Sequence, residues 1–122
     1  MVSIQVRDEG GVTVLEVIGR MILDDGERPL HDAAAEQVAR GRTQILVDLS
    51  GVDAMDSLGI SDLIGAYTQV QRSGGVLKIL RPSRKIQVLM ETAALDQLFD
   101  VFSEDTEAFG SFVLKWPDGP PN

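Results

Sequence analysis

The sequence predicts one α/β domain with a mixed, mostly parallel sheet of about five strands and about four helices packed against it. The chain begins with two strand patterns separated by a Gly-rich turn, which is typical of an N-terminal β-hairpin. Strand and helix patterns then alternate, as expected of a parallel sheet with right-handed crossovers. The 122 residues are 43% hydrophobic and 25% charged, which suits a single core.

The hairpin occupies the start of the chain. Residues 2–7 alternate between apolar and polar side chains, as in a strand with one buried face. A turn over residues 8–11 leads into a second strand, which begins at Val12 and which Gly19 is expected to close. Residues 20–27 are expected to form a loop.

Turn and cap residues divide the rest of the chain. Pro29 suits the first turn of a helix, and Gly41 suits its end. Ser83 is a helix cap candidate. The later elements are expected to be a strand over residues 76–80, a helix after Ser83, a short edge strand over 101–102 and a last helix over 104–112. Residues 1–114 are predicted to form the domain, and the Pro-rich residues 115–122 a flexible tail.

The central unit of the chain runs from Ile45 to Gln71. It opens with an apolar run broken only by Asp48, which predicts a strand buried on both faces. Ser50 and Gly51 are expected to end that strand. From Ser57 onward, apolar residues recur at helical spacing. They are Ile60, Leu63, Ile64 and Tyr67. The helix start therefore lies at the carboxyl end of a strand, where functional loops cluster in such sheets.

Two residues are able to cap this central helix, Asp56 and Ser57, because either side chain can accept a hydrogen bond from the first turn. If Asp56 is the cap, the Ser57 hydroxyl is left beside N–H groups that favour an anion. On the residues alone, a plain helix cap without further function is the alternative interpretation.

Helix geometry predicts the surroundings of Ser57. Leu58 and Asp62 fall on the side opposite the apolar stripe, so both are expected to be exposed. An exposed leucine beside the small residues Gly59 and Ser61 is typical of a docking surface for another protein.

The segment DLSGVDAMDSLGIS resembles the signature of STAS-domain anti-sigma-factor antagonists, also called anti-anti-sigma factors. The matching residues are Asp48, Leu49, Ser50, Met55, Asp56, Ser57, Gly59 and Ile60. The family's phosphorylated serine falls on Ser57. Two positions depart from the pattern: Leu58 stands where the family usually has Ser, Thr or Ala, and Ser61 where it often has Gly.

The resemblance implies the STAS fold and a phosphorylation-controlled binding module in the cytoplasm. Such a protein binds an anti-sigma factor that is also a serine kinase, and so releases a sigma factor. Phosphorylation of Ser57 by that kinase ends the binding, and a serine phosphatase could reverse it. ATP and Mg²⁺ would belong to the kinase, so that no cofactor and no catalytic residue are expected in this chain.

Helix geometry and the resemblance together predict a partner-binding surface. Its residues are Asp56, Leu58, Gly59, Ser61 and Asp62, together with Asp24 and Asp25. Relatives carry an acidic residue at the position of Ile22, close to the phosphoserine, and Asp24 or Asp25 is expected to replace it here.

Composition argues against several other classes of protein. The formal net charge of −8 repels phosphate backbones, so direct nucleic-acid binding is not expected. The clustered cations Arg81, Arg84 and Lys85 are expected to be solvated. The absence of cysteine excludes disulfides and thiolate metal sites. No apolar run is long enough for a membrane span, and no signal sequence opens the chain.

Three other functions stay open on the sequence. The first is a STAS interaction module in a stress-signalling or transport complex, which Leu58 favours. The second is a nucleotide- or anion-binding regulatory domain, against which the acidity and the lack of basic residues near Ser57 both argue. The third is a hydrolase with Ser57 as nucleophile. It ranks last because His31, the one histidine, is expected to be solvated and without a partner.

Overall fold

Strands and helices alternate along residues 2–113, the part of the chain that the computed structural model describes. The strands are β1 (Val2–Glu9), β2 (Val12–Met21), β3 (Gln44–Met55), β4 (Val76–Leu80) and β5 (Val101–Phe102). The helices are α1 (Pro29–Ala39), α2 (Ser57–Arg72), α3 (Arg84–Thr92) and α4 (Asp105–Val113), with a short 3₁₀ helix at Leu95–Gln97 that was not predicted. The predicted fold class is confirmed. The predicted tail, residues 115–122, lies outside the described residues.

The five strands form one sheet in the order β1-β2-β3-β4-β5. The β1–β2 pair is antiparallel, and the other three pairs are parallel. The hairpin is thus an antiparallel addition to a parallel sheet. The longest strand, β3, lies at the centre of the sheet and leads directly into α2.

Two apolar clusters cover the two faces of the sheet. Helices α1, α2 and α3 pack over Leu15, Val17, Ile45 and Val47 on one face. Helix α4 packs over the other face, where Ala108 and Phe112 join Val12, Val14, Leu46 and Leu80. Neighbouring residues of β3 therefore contribute to opposite clusters, as the unbroken apolar run predicted.

The prediction that Ser50 and Gly51 end the central strand is wrong. Strand β3 continues to Met55 because β2 extends beyond Gly19 to Met21 and pairs with it across two register shifts. A Cβ on Gly51 would lie 2.9 Å from the Val17 carbonyl oxygen, so glycine permits this close pairing. Residues 52–55, which follow the predicted strand end, belong to β3. The loop predicted over residues 20–27 is observed over residues 22–28.

The predicted helix boundaries are confirmed at several caps. Pro29 begins α1, and Gly41 follows its end with φ of +79°. Ser83 caps α3 by accepting a hydrogen bond from Ile86 N at 3.3 Å. Among residues 2–113, no helix combines the length and the apolar character needed to cross a membrane.

Gly59 is buried where α2 meets the ends of β2 and β3. A Cβ at this position would lie 2.3 Å from the Met21 carbonyl oxygen and 2.8 Å from Met55 Cγ. The expectation that Gly59 forms part of an exposed docking surface is wrong, because the missing side chain serves internal packing. It lets the first turn of α2 lie directly against the strand ends.

We expect Gly59→Ala to lower the free energy of unfolding by about 1–3 kcal/mol, because its close neighbour is backbone and cannot move aside. Gly65→Ala in the same helix is the matched control. A Cβ at Gly65 would lie 3.5 Å from His31 Cδ2, an ordinary contact, so this variant should gain about 0.5–1 kcal/mol of helix stability. Urea denaturation followed by circular dichroism measures both. Equal stability of Gly59→Ala and the parent protein would contradict this packing argument.

Candidate functional site

Helix α2 is capped by Asp56. The residue has extended backbone angles, φ −104° and ψ −172°, and its Oδ1 accepts a hydrogen bond from Gly59 N at 2.8 Å. Its own N–H donates to the Met21 carbonyl at 3.2 Å, which joins the helix start to the end of β2. Of the two candidate caps, Asp56 is therefore the one used.

Ser57 lies in the first turn of α2 without a structural role for its hydroxyl. The residue is exposed, and the hydroxyl has no hydrogen-bond partner among residues 2–113. Within the same described part of the chain, the N–H groups of Ser57 and Leu58 are also without acceptors, as expected in a first helical turn. These donors and the helix dipole give the position a local preference for negative charge.

A cleft of about 400 Å³ lies between α2 and the loop of residues 22–28, and Leu58, the residue after Ser57, is part of its lining. We call it the Leu58 cleft. Its α2 wall includes Leu58, Ser61 and Gly65, and its loop wall includes Asp25, Glu27 and Arg28. Leu58 is 37% exposed, which confirms the prediction that it faces outward. The structure thus brings Leu58, Ser61 and Asp25 together at one surface next to Ser57.

The two neighbouring carboxylates of the loop have different positions. Asp25 lines the Leu58 cleft. Asp24 forms a turn instead: its N–H donates to Glu27 Oε1 at 2.7 Å, and its carbonyl accepts from Glu27 N at 3.0 Å. Of these two residues, Asp25 is therefore the one that lines the cleft. Ile22 is exposed and adds apolar surface to this loop.

The prediction that Asp62 faces solvent is wrong. Asp62 is 2% exposed, with Oδ2 accepting from Leu30 N at 2.9 Å and Oδ1 accepting from His31 N at 2.8 Å. Helical spacing did place it away from the apolar stripe, but α1 packs against that side of α2 and covers it. Burial raises the pKa of the Asp62 carboxyl, and its two backbone hydrogen bonds partly oppose that rise.

His31 is not the solvated side chain that was predicted. Its side chain is 19% exposed and packs against α2 at Gly65. Nε2 lies 2.7 Å from Arg28 Nη2, and Nδ1 lies 3.1 Å from Asp32 Oδ1. The imidazole is thus bonded to groups of its own helix start rather than to Ser57.

Arg28 is the residue of the site that sequence reasoning missed. It lines the Leu58 cleft, and its Nη2 lies 2.7 Å from His31 Nε2. No spacing in the sequence indicates this position, because it depends on the packing of α1 beside α2. Asp25 and Glu27 line the same cleft, so its charge is mixed.

The Asp-Leu-Ser part of the motif is structural. Asp48 is 1% exposed, and its Oδ1 accepts from Ser50 N at 2.9 Å. Its Oδ2 lies 3.3 Å from Arg81 Nη2, and Arg81 Nη1 lies 2.7 Å from Asp105 Oδ1. Arg81 is therefore ion-paired, where a solvated side chain was expected, and it links β3 to α4.

Comparison with known proteins identifies the class. The family model described as "Mlab, STAS domain" matches residues 4–101, which is most of the chain. The chain therefore belongs to the STAS domain family, and the resemblance to that family is confirmed.

Individual relatives carry the name of one kind of STAS protein. A Thermotoga maritima protein named "Putative anti-sigma factor antagonist" is 23% identical over 73 residues, which are 60% of this chain and 65% of that protein. This chain thus matches less than two thirds of that relative's length.

Solved structures share the fold over nearly the whole domain. The crystal structure of an anti-sigma factor antagonist from Mycobacterium paratuberculosis has a TM-score of 0.76 at 23% identity, covering 91% of this chain and 93% of that one. The Bacillus cell fate determinant SpoIIAA in its phosphorylated form has a TM-score of 0.67 at 18% identity, covering 90% and 99% respectively. At such identities the likeness concerns the fold.

Substitution of the two polar residues at the start of α2 should change the free energy of unfolding by different amounts. Asp56→Ala removes the acceptor for Gly59 N, so we expect a loss of about 0.5–2 kcal/mol in the free energy of unfolding. Ser57→Ala removes no hydrogen bond and should change stability by less than about 0.5 kcal/mol. Thermal unfolding of both variants tests this, and a loss at Ser57 as large as that at Asp56 would show that the hydroxyl has a structural role.

Proposed function

We propose that this protein is an anti-sigma factor antagonist that binds an anti-sigma serine kinase through the surface around Ser57. Binding of the kinase frees a sigma factor, and transfer of a phosphoryl group from ATP to Ser57 ends the binding. The observation that carries the proposal is the exposed Ser57 hydroxyl, without a hydrogen-bond partner among residues 2–113, at the position of the family's phosphoserine. In this proposal the protein is a cytoplasmic binding module and not an enzyme.

The Leu58 cleft supplies the docking surface. Leu58 offers apolar area, and the small residues Ser61 and Gly65 leave room for a partner side chain. The carboxylates of Asp25 and Glu27 border the same space. A shallow apolar centre with a charged rim is the usual anatomy of a protein interface.

Phosphorylation weakens such an interface through charge. A phosphoryl group adds about −1.5 to −2 charges at neutral pH, beside Asp56 and near the carboxylates of the Leu58 cleft. Like-charge repulsion and the cost of desolvating the phosphate both oppose docking. Asp62 does not contribute as an exposed charge, because it is buried and its carboxylate accepts hydrogen bonds from two backbone N–H groups.

The domain itself tolerates the phosphate. Asp56 holds the helix cap, so modification of Ser57 removes no hydrogen bond from the fold. The N–H groups of Ser57 and Leu58 are oriented as first-turn donors that favour an anion. The switch therefore acts at the surface, and a serine phosphatase resets it without refolding.

A second candidate function is a STAS module within a stress-signalling or transport complex. Leu58 favours it, because a large exposed side chain stands where antagonists usually have a small residue. Exposed Ile22 replaces their acidic residue in the neighbouring loop. Identification of copurified proteins from the source organism separates the two functions, since an antagonist copurifies with a kinase of the anti-sigma class.

Intact-mass spectrometry tests the proposed function. The protein is incubated with ATP and each candidate anti-sigma kinase of its source organism. We expect a gain of one phosphoryl group, which Ser57→Ala abolishes because the acceptor hydroxyl is gone. Ser61→Ala is the matched control, since it removes an exposed serine one turn away on the same helix and should leave the gain intact.

Two results would count against the proposal. Modification that persists in Ser57→Ala and disappears in Ser61→Ala would show that the kinase phosphorylates Ser61 and not Ser57. If no candidate kinase binds or modifies the protein, the interaction module in another complex becomes the better account.

A further inference from the structure

Helix α1 starts without a cap from its own sequence. Arg28 occupies the cap position and its side chain makes no capping hydrogen bond. Pro29 has no N–H group, so the donors that need acceptors in this first turn are those of Leu30 and His31. Both belong to a turn that packs against α2.

Helix α2 supplies the missing acceptors. Each carboxylate oxygen of Asp62 accepts one of the two N–H groups, at 2.9 Å from Leu30 N and 2.8 Å from His31 N. Asp62 is 2% exposed, so water does not replace these bonds while the helices are packed. The contact thus joins residues about thirty positions apart through a charged acceptor, which is stronger than a neutral one.

The loop of residues 22–28 is attached to α2 at its two ends. Before the loop, the Met21 carbonyl accepts from Asp56 N at 3.2 Å. After it, Leu30 and His31 donate to Asp62. In the described part of the chain, residues 2–113, no hydrogen bond or ion pair joins the loop itself to α2. Leu23 is 8% exposed, so its buried side chain also holds the start of the loop, whereas the end of the loop next to α1 depends on the bonds to Asp62.

We propose that Asp62 is a positioning residue, which holds the loop of residues 22–28 against α2 and so sets the width of the Leu58 cleft. Asp62 itself lines the α2 wall of the cleft, beside Ser61. The N–H groups it binds, those of Leu30 and His31, lie two and three residues after Arg28, which lines the loop wall. Any effect of Asp62 on partner docking rests on the proposed function. Its effect on the position of the loop of residues 22–28 does not.

Asp62→Ala removes both acceptors and should release the first turn of α1 together with the loop. We expect amide hydrogen exchange at Leu30 and His31 to accelerate by about tenfold, after correction for any change in global stability. Backbone ¹⁵N order parameters of residues 22–28 should fall below about 0.6, the range of flexible backbone. Both quantities are measured by NMR on the same sample.

Two further variants make the test specific. Asp56→Ala removes a cap from the same helix and should accelerate exchange at Gly59 while leaving Leu30 and His31 unchanged. Asp62→Asn keeps the size of the side chain and one carbonyl oxygen, so it should accelerate exchange at one of the two amides more than at the other. It also serves if Asp62→Ala does not fold.

The outcomes separate positioning from simple capping. Faster exchange at Leu30 and His31 with unchanged order parameters in residues 22–28 would make Asp62 an ordinary remote cap and overturn the proposal. Unchanged exchange at both amides would overturn it as well. The measurement needs no partner, so a failure to find the anti-sigma kinase would leave this result intact.

Discussion

The hydrogen bond from Gly59 N to Asp56 Oδ1 is the interaction on which the site depends. Because the carboxylate of Asp56 satisfies the first turn of α2, the neighbouring serine hydroxyl is free for chemistry. Gly59 has no side chain, which lets the helix start lie against Met21 and Met55 while this bond is made. Asp56, Ser57 and Gly59 thus form one structural unit at the start of α2. Their spacing in the motif is consistent with the packing of this helix on the ends of β2 and β3.

Helix α2 also organises the surface beyond its own first turn. Its first turn exposes Ser57, and its second turn carries Asp62, whose carboxylate caps α1. The Leu58 cleft lies between these two features, with one wall on α2 and the other on the preceding loop. The Leu58 cleft is thus held by hydrogen bonds that do not involve the serine, so the proposed phosphorylation of Ser57 would leave those bonds in place.

The sequence predicts those features that depend on neighbouring residues. The hairpin, the apolar spacing of α2 and the caps at Pro29 and Ser83 are local, and the structure has them. Helical geometry misplaced Asp62, because its partners lie in α1 and a single helix does not show what packs on its polar side. The length of β3 was missed for a similar reason, since its second half is held by the end of β2 through irregular pairing. Side chains brought together by packing, such as Arg28 and Leu58, have no signal in sequence spacing.

The central claim is that phosphorylation of Ser57 changes the surface charge and leaves the fold unchanged. Amide NMR spectra of the unphosphorylated protein and of the protein phosphorylated at Ser57 test it directly. The account predicts chemical-shift changes confined to the first turns of α2 and the loop of residues 22–28, with the amides of β4 and β5 unchanged. Shift changes throughout the sheet would contradict it and would indicate a switch that acts by rearranging the domain.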